Sequence, residues 1–493
     1  MPKRANEHIN FAIVLRMQGW LLLIEAAFML LPLAVSWWFD EPTSLRAFIY
    51  STIITASAGV IMAFGIKPRS KSMHKREGLM LTATVWVFFS VFGMLPFLIH
   101  GSITNLTDAF FETMSGFTTT GATILDDVEC LPHGILFWRS LMQWIGGLGI
   151  VFFTIAILPS LVGGSVKVFA AEATGPIKAK MHPRLSTSAK WIWSIYLLLT
   201  IGCGLSFWAV GMDWFEALNY SMTTTATGGF SIHNDGLEHF NLASIDYIAI
   251  VFEFLSGINF TLLYISIFKM RISALFKNSE FKLYIVIVVG ATLWIMYLLL
   301  TRMDYPLEQA FRNALFQVVS FITTTGMFND EVGLWPHITW VILGVIMFLG
   351  ACAGSTSGGF KCIRGNMLLQ VVRNNFRQIL HPNAVLPVRI NGQSIPQSKL
   401  VALFAFFVLA IFMMIFTATA MMVGGVDNTN SVTIALSCVG NVGPSLATKI
   451  GPELSWSILP DAIKWLLCLL MLMGRLEIMT VLVLFTRAFW KEN

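Results

Sequence analysis

Long apolar runs alternate with short polar segments along the chain. Crossing the hydrocarbon core of a bilayer takes about 20 apolar residues, and ten runs are candidates. They cover residues 11–38, 46–66, 79–99, 135–159, 191–211, 245–268, 281–301, 337–375, 400–425 and 462–486, the run at 337–375 being interrupted. The pattern predicts an all-α integral membrane protein. The first run is interpreted as a span and not a cleavable signal, because it is too long and contains Arg16 and Glu25.

The composition excludes a soluble globular protein. Of 493 residues, 56% are hydrophobic and 12% are charged, whereas soluble domains carry about 25% charged residues. Lys and Arg concentrate in the loops at 67–77, 167–190, 269–282 and 361–399, while the loops at 101–136 and 213–246 contain acids and neither Lys nor Arg. The positive-inside rule therefore places both termini and the basic loops in the cytoplasm. A surface for a partner or for anionic membrane lipid is the alternative interpretation of the basic loops.

Four segments on the acidic side repeat one pattern. Each has a short amphipathic stretch, then Thr or small polar residues, then Gly; the alignment matches Gly121, Gly228, Gly326 and Gly443. Each segment lies between two spans, so successive units enter the membrane from the same side. The fold prediction is four parallel M1–pore loop–M2 repeats with fourfold pseudo-symmetry plus two extra N-terminal transmembrane helices. The boundaries are 1–70 for the N-terminal helices and 71–165, 166–272, 273–380 and 381–493 for the repeats.

Thr-rich segments that end in Gly are suited to binding a dehydrated cation. Backbone at membrane depth is tolerated only where it is buried in protein or lines a watery path. Gly reaches backbone angles closed to other residues, so carbonyl oxygens can point into a pore, where they replace the hydration shell of an alkali cation. The C-terminal ends of short helices and the acidic outer loops would both favour cations. The repeats therefore predict one cation pathway built from a single chain.

A further set of aligned residues lies in the middle of the second helices. Arg475 of the fourth repeat occupies the position that Gly147, Gly257 and Gly359 occupy in the first three repeats. An arginine facing lipid at mid-bilayer costs about 2.5–3.5 kcal/mol, so Arg475 is expected inside the protein. It is interpreted as a barrier in the pore or as part of a structural ion pair, for instance with Glu477, and the two roles can coexist.

Residues 350–361 interrupt the second helix of the third repeat. Their Gly- and hydroxyl-rich sequence does not sustain a good helix, so a loop below the Thr/Gly segments is predicted, with close helix packing as the alternative. The spacing misses that of a phosphate loop by one residue, which argues against nucleotide binding. Six cysteines and nine histidines show no metal-ligand spacing. Neither a metal cluster nor an organic cofactor is predicted.

These motifs resemble the Trk/Ktr/HKT superfamily of potassium transporters. The resemblance rests on SGFTTTGAT, TTTATGGFS, ITTTG, VGNVGPS, GACAGSTSGG and GRLEI and covers nearly the whole chain. The extra N-terminal spans and the HPNAV at 381–385 point to the bacterial TrkH/TrkG branch. This implies a homodimer in the bacterial cytoplasmic (inner) membrane, with one pore per protomer. It also implies control by a cytosolic RCK-type (TrkA-like) subunit that binds ATP/ADP or NAD(H), and no nucleic-acid partner.

The resemblance also implies roles for individual residues. Filter carbonyls that bind potassium are expected from Thr119, Thr120, Gly121, Ala226, Thr227, Gly228, Thr324, Thr325, Gly326, Asn441, Val442 and Gly443. A gate is expected from Arg475, Gly354, Ser355, Thr356, Ser357, Gly358, Gly359 and Lys361. The second and fourth segments depart from the Thr-Thr-Thr pattern, which leaves strict selectivity for potassium over sodium open.

Two transport mechanisms remain open from the sequence. In a gated, channel-like pore, potassium would run down its electrochemical gradient. A symporter that couples potassium to sodium or protons would need an ionisable residue in the path, and Glu253 and Glu477 are the candidates. The chain is predicted not to be an enzyme, because it offers no nucleophile–base pair, metal cluster or phosphate loop.

Overall fold

The computed structural model describes residues 9–68, 73–149, 185–446 and 455–491. Within these ranges the chain is mostly helical, and its strands are one short antiparallel pair, Arg389–Ile390 with Gln393–Ser394. Six helical stretches there are long and apolar enough to cross a membrane: Phe11–Trp38, Pro42–Gly65, Lys75–His100, Lys190–Val210, Ser279–Arg302 and Gln397–Val423. Two helix pairs, bent by 104° and 115°, are further candidate spans. The chain is a multi-pass membrane protein.

The first two long helices form a hairpin ahead of the predicted repeats. Phe11–Trp38 is followed after a tight turn by Pro42–Val60, and proline at the first helical position suits a helix start because its missing N–H would be unpaired there anyway. Close approach depends on Gly19, where an added Cβ would lie 2.4 Å from the backbone nitrogen of Ala63. The hairpin packs against the helix Lys75–Gly93 of the first repeat.

Each predicted repeat contains a first helix, a short pore helix and a second helix. The first helices are Lys75–Gly93 (continued by Leu95–His100), Leu185–Val210, Ser279–Arg302 and Gln397–Val423. The pore helices are Leu106–Phe117, Trp214–Ala226, Leu307–Ile322 and Asn428–Gly440. The second helices are His133–Gly147, Ala243–Ser256, His337–Leu349 and Asp461–Leu476. None of the pore or second helices exceeds 16 residues. At 1.5 Å per residue, such a helix is at most about 24 Å long, less than the roughly 30 Å hydrocarbon core.

Local sequence explains where two of these short helices begin. The side chain of Asn105 accepts a hydrogen bond from the Thr107 amide at 2.9 Å. Asp213 and Glu216 form a capping box at the start of the second pore helix, which satisfies two amides that would otherwise lack partners. These caps fix the residues at which the first two pore helices begin.

The second helix is broken in more repeats than the sequence predicts. The predicted interruption in the third repeat is present, since one helix ends at Leu349 and the next begins at Cys362. The run at 245–268 is also bent, by 104°, where Asn259 caps the following helix, and so is the run at 462–486, by 115°, at Glu477. The expectation of uninterrupted spans in these two repeats is therefore wrong. In the first repeat, the part of the run 135–159 beyond residue 149 lies outside the described residues.

The remaining elements are short or connect the repeats. They are the π-helical turn Ile61–Gly65, the helices Phe260–Phe268, Ser273–Lys277, Cys362–Leu380, Ile478–Leu482 and Arg487–Trp490, and the 3-10 turns Glu238–Phe240, Val332–Leu334 and Val483–Phe485. The predicted boundaries at 272 and 380 fall between helices, whereas those at 70 and 165 lie outside the described residues. The division into repeats at these positions stays a prediction.

Candidate functional site

The four pore helices end in the same backbone turn. One residue in each turn is left-handed, with φ of 53° at Thr119, 53° at Thr227, 59° at Thr324 and 53° at Asn441. The next residue donates its amide to the carbonyl five positions back, over 2.9 Å at Thr120, 3.0 Å at Gly228, 2.8 Å at Thr325 and 3.0 Å at Val442. Left-handed angles cost roughly 1–2 kcal/mol in residues that have a Cβ. Four copies of one unfavourable turn therefore mark a specifically built site.

A glycine with positive φ follows each left-handed residue by two positions. These glycines are Gly121, Gly229, Gly326 and Gly443, with φ of 83°, 77°, 73° and 104°. The sequence alignment matches Gly228, and not Gly229, to Gly121, and the structure corrects this register by one residue. Because the left-handed residue of the second turn is Thr227, the residues Ala226, Thr227 and Gly228 each lie one position earlier in the turn than predicted.

The four turns contact one another in a closed ring. In each turn, a Cβ added to the glycine would clash with a carbonyl oxygen of a neighbouring turn. From the added Cβ to the neighbouring carbonyl oxygen, the distance is 2.1 Å for Gly121 and Gly228, and 2.0 Å for Gly229 and Thr325. It is 2.0 Å for Gly326 and Val442, and 2.4 Å for Gly443 and Thr120. The contacts therefore run from the first repeat through the second, third and fourth and back to the first. Glycine is required because only a residue without Cβ lets the backbones approach this closely.

Side chains hold the turns in place. Two pairs of threonine hydroxyls are hydrogen-bonded at 2.8 Å, Thr118 with Thr120 and Thr323 with Thr325. Asn441 closes the ring, because its Nδ2 donates to the Thr120 hydroxyl at 2.9 Å and to the Met471 carbonyl at 2.9 Å. The Asn that departs from the Thr pattern thus connects the fourth turn to the first.

A cavity of about 90 Å³ lies at the ring, and its lining includes all four positive-φ glycines. Loop residues Asp126, His233 and Asn234 also line it. The surrounding loops are acidic: partial burial, followed by repulsion from neighbouring carboxylates, raises the pKa of Glu238. The Asn234 side chain, followed by the Glu129 amide, lowers the pKa of Asp127 through hydrogen bonds. We call this cavity the mouth.

Arg475 connects three of the repeats. Its Nη2 donates to the carbonyls of Gly146 at 2.6 Å and Gly147 at 2.7 Å. Its Nη1 donates to the carbonyl of Thr356 at 2.9 Å. Since Gly146 and Gly147 belong to the first repeat and Thr356 to the third, this side chain of the fourth repeat bridges both of its neighbours in the ring.

Residues 350–361 form the predicted loop, which contacts the ring and the second repeat. The Gly358 amide donates to the Thr324 hydroxyl at 2.6 Å. The Thr356 hydroxyl donates to the Ser256 carbonyl at 3.2 Å, and the Phe260 amide donates to the Gly354 carbonyl at 3.0 Å. A movement of this loop would therefore act directly on the turn of the third repeat and on the break in the second.

The other predicted gate residues hold the shape of the loop. The hydroxyls of Ser355 and Ser357 are 2.8 Å apart, and the buried Lys361 ammonium donates to the Ser357 carbonyl. Gly359 has a φ of 74°, and a Cβ there would lie 2.9 Å from the Cα of Gly350. The structure thus brings together all of the predicted gate residues.

Comparisons with known proteins assign this architecture to a family. A family model named TrkH and described as "Cation transport protein" matches residues 44–492. The chain belongs to the TrkH family. The Trk system potassium uptake protein TrkH of Halomonas elongata is 35% identical over 486 residues, which are 98% of this chain and 100% of that protein. TrkH of Escherichia coli K12 is 34% identical over 492 residues, again 98% of this chain and 100% of that protein.

A solved TrkH structure has the same fold. The crystal structure of the potassium transporter TrkH from Vibrio parahaemolyticus matches with a TM-score of 0.89 and 33% identity, covering 98% of this chain and 100% of that one. These matches confirm the family resemblance and the all-α membrane fold. Because the TrkH family consists of cation transport proteins, they also confirm that the chain is a transporter and not an enzyme.

The sequence prediction missed two polar residues of the first repeat that brace this TrkH-family ring. Gln143 donates from Nε2 to the Gly228 carbonyl at 2.7 Å and accepts the Phe230 amide at 3.0 Å. Arg139 forms a buried ion pair with Glu112 at 2.9 Å. The signal was present, because Arg139 and Gln143 lie four residues apart inside an apolar run and so on one helix face.

Two acidic residues also act at the loop of the third repeat. The Glu280 carboxylate accepts the amides of Ala353 at 2.6 Å and Ile363 at 3.1 Å, which fixes both ends of the loop. Glu477, the suggested ion-pair partner of Arg475, accepts a hydrogen bond from Arg364 just after the loop. Arg475 donates to backbone carbonyls, and its guanidinium also lies over the Trp86 ring, 5.9 Å from the ring centroid.

Proposed function

We propose that this TrkH-family chain takes up potassium through a gated, channel-like pore whose selectivity filter is the closed ring of four turns. The ring of matched left-handed residues and glycines is the observation that carries the proposal. Potassium as the ion is supported by the names of the relatives, which are potassium uptake proteins. The ion is the transported substrate, and no organic cofactor enters the proposal.

Backbone carbonyls of the turns would replace the hydration shell of the ion. With the corrected register, the filter consists of Thr119, Thr120 and Gly121, Thr227, Gly228 and Gly229, Thr324, Thr325 and Gly326, and Asn441, Val442 and Gly443. Each pore helix ends at its turn, so the partial negative charge of its C-terminus favours a cation there. The acidic residues around the mouth raise the local cation concentration in the same direction.

Control would lie with Arg475 and the loop at 350–361. Arg475 joins the first and third repeats, and the loop also contacts the second, so all four repeats meet in this layer. The helix Cys362–Leu380 begins directly after the loop and carries exposed residues toward its end. A cytosolic regulatory subunit that pulled on this helix would move the loop. The bacterial inner membrane, cytoplasmic termini and homodimer remain parts of the proposal.

Uptake of radioactive rubidium into liposomes containing the purified chain tests the filter, with sodium as competitor. Gly121→Ser and Gly229→Ser should raise sodium permeation relative to rubidium, because each adds a side chain where the turns touch. Gly228→Ser is the comparison that tests the register: its added Cβ would meet the Gln143 side chain, 2.5 Å away, and not a neighbouring turn. Only variants that elute as a single species are compared.

Two results would contradict the filter assignment. The first is an unchanged sodium-to-rubidium ratio in both Gly121→Ser and Gly229→Ser. The second is a change in Gly228→Ser without one in Gly229→Ser, which would restore the register of the sequence alignment. Absence of rubidium uptake by the unmodified chain, with and without the regulatory subunit, would refute potassium uptake itself.

Coupled symport is the second candidate, and one observation favours it. Glu253 is fully buried in the second helix of the second repeat, and among the described residues neither of its carboxylate oxygens has a hydrogen-bond partner. A carboxyl group in such surroundings is suited to carrying a proton. Reversal potentials in potassium, sodium and pH gradients separate the models. A potential that follows potassium alone, and is unaltered in Glu253→Gln, excludes coupling through this residue.

A further inference from the structure

A cluster of metal-binding side chains lies beside the mouth, outside the filter and the gate. Glu129 follows the first pore loop, and His233 and His239 follow the second. Their ligand atoms all lie within 4.8 Å of one another. The sequence spacing does not reveal this cluster, because one of the three residues comes from a different repeat.

His233 is oriented in the way that metal-bound histidines usually are. Its Nε2 lies 3.2 Å from a carboxylate oxygen of Glu216, while its Nδ1 lies 3.4 Å from one of Glu129. A hydrogen bond from Nε2–H to Glu216 leaves the Nδ1 lone pair directed at the cluster, and such a carboxylate partner fixes the tautomer of a ligating histidine. Glu216 is itself held, because its other oxygen accepts the Asp213 amide at 3.0 Å.

Of the other two ligands, Glu129 is held in place, whereas His239 has room to move. The Glu129 oxygen that faces His233 also accepts the Asn234 amide at 3.2 Å, so it is positioned by the neighbouring loop. The His239 ring stacks on that of His233, with centroids 3.7 Å apart and planes 4° apart. Stacked rings direct their lone pairs along parallel planes, so His239 must tilt to share an ion. It is exposed on the 3-10 turn Glu238–Phe240, where its side chain has room to do so.

We propose that Glu129, His233 and His239 form a binding site for a divalent transition-metal ion of the Zn²⁺ class. Two imidazoles and one carboxylate are a donor set typical of zinc, with a fourth position left for water. Magnesium and calcium prefer sites composed of oxygen ligands, so this site discriminates against them. The stacking of the two rings without any ion is the alternative that the experiment must exclude.

Binding would connect the outer loops of the first and second repeats. The same loops already share hydrogen bonds, from the Val128 amide to Asn234 at 2.9 Å and from Asn234 to Asp127 at 2.9 Å. Val128, His233 and Asn234 also line the mouth. A bound dication would stiffen this rim and offset the negative charge that attracts cations. Inhibition of ion entry rests on the proposed function, whereas metal binding does not.

Metal binding is measured on the tag-free, full chain in detergent by competition with a chromophoric zinc chelator. The wild type should bind one Zn²⁺, and His239→Ala should bind it about tenfold more weakly or worse. His239 is exposed, so this variant should fold. His337→Ala, another exposed histidine that contacts Trp340 and not the cluster, should bind like the wild type. Equal zinc affinity of wild type and His239→Ala, or competition by Mg²⁺ as strong as by Zn²⁺, would overturn the site.

Rubidium uptake in the presence of Zn²⁺ tests the consequence separately. Zinc should slow uptake by the wild type and by His337→Ala, and this inhibition should be lost in His239→Ala. Zinc binding without inhibition would refute the effect on ion entry and leave the site standing. Absence of uptake in metal-free buffer would refute the proposed transport function, while the binding measurement would still decide the site.

Discussion

Arg475 is the residue whose replacement tests the proposed gate most directly. If it acts as a latch, its guanidinium is anchored on Gly146 and Gly147 and holds the loop through Thr356. If it acts as an electrostatic barrier, its charge alone repels cations. Arg475→Ala removes both actions. Arg475→Lys separates them, because lysine keeps the charge but lacks the planar fork that can reach carbonyls on two sides.

The hydrogen bond to the loop sets the size of the expected effect. Movement of the loop would break the bond from Arg475 to the Thr356 carbonyl, which is 2.9 Å long. A hydrogen bond made by a charged group contributes about 1.5–3 kcal/mol. Its loss should therefore shift the equilibrium between held and released loop by roughly 10- to 150-fold.

The assay is the initial rate of rubidium uptake into liposomes by the purified chain alone. The latch predicts a faster basal rate in both Arg475→Ala and Arg475→Lys. A raised rate in Arg475→Ala with a wild-type rate in Arg475→Lys would refute the latch in favour of the charge barrier. Wild-type or lower rates in both variants, with unchanged elution and melting temperature, would refute a gating role of any kind.

Three other expectations concern the surroundings of the filter. Gln143→Leu should lower the melting temperature, since it leaves the Phe230 amide without its partner at a cost of about 1–3 kcal/mol; an unchanged melting temperature would contradict this bracing role. Glu112→Gln should destabilise the fold by about 3–5 kcal/mol because Arg139 stays buried and charged. Glu112→Gln combined with Arg139→Met should recover part of this lost stability, which a comparison of the melting temperatures of the single and double mutants checks. Glu238→Gln should raise the melting temperature at neutral pH, because the raised pKa of Glu238 means that its charged form is disfavoured in the folded protein. This increase in melting temperature should fade as the pH falls through that pKa. An increase that persists in acid would refute the expectation.

The sequence was sufficient for features that many residues specify together. Apolar runs of sufficient length located the spans, and four similar Thr/Gly segments located the ring. The loop at 350–361 was predictable because several adjacent residues disfavour a helix. In each case the signal is a sum over positions, so no single contact has to be known.

The register of the second turn could not be predicted, because it depends on one backbone choice. Ala226-Thr-Gly-Gly229 offers two adjacent glycines, and the letters do not say which follows the left-handed residue. The left-handed conformation of Thr227, two positions before Gly229, decides it. The bend at Glu477 is similar, since a φ of 68° in a residue with a Cβ has no sequence signature.

The contact between the fourth turn and the first has a consequence for synthesis of the chain. Asn441 bonds to Thr120 across 321 positions of sequence. At roughly 5–20 residues per second, about 15–65 s separate the emergence of these two residues from the ribosome. During that interval the first turn, joined by the second and the third as they are synthesised, waits in the membrane as part of an unfinished ring with an open edge. The buried Glu112–Arg139 pair and Gln143 need only residues up to Phe230, so they can order the first half of the filter long before its last quarter exists.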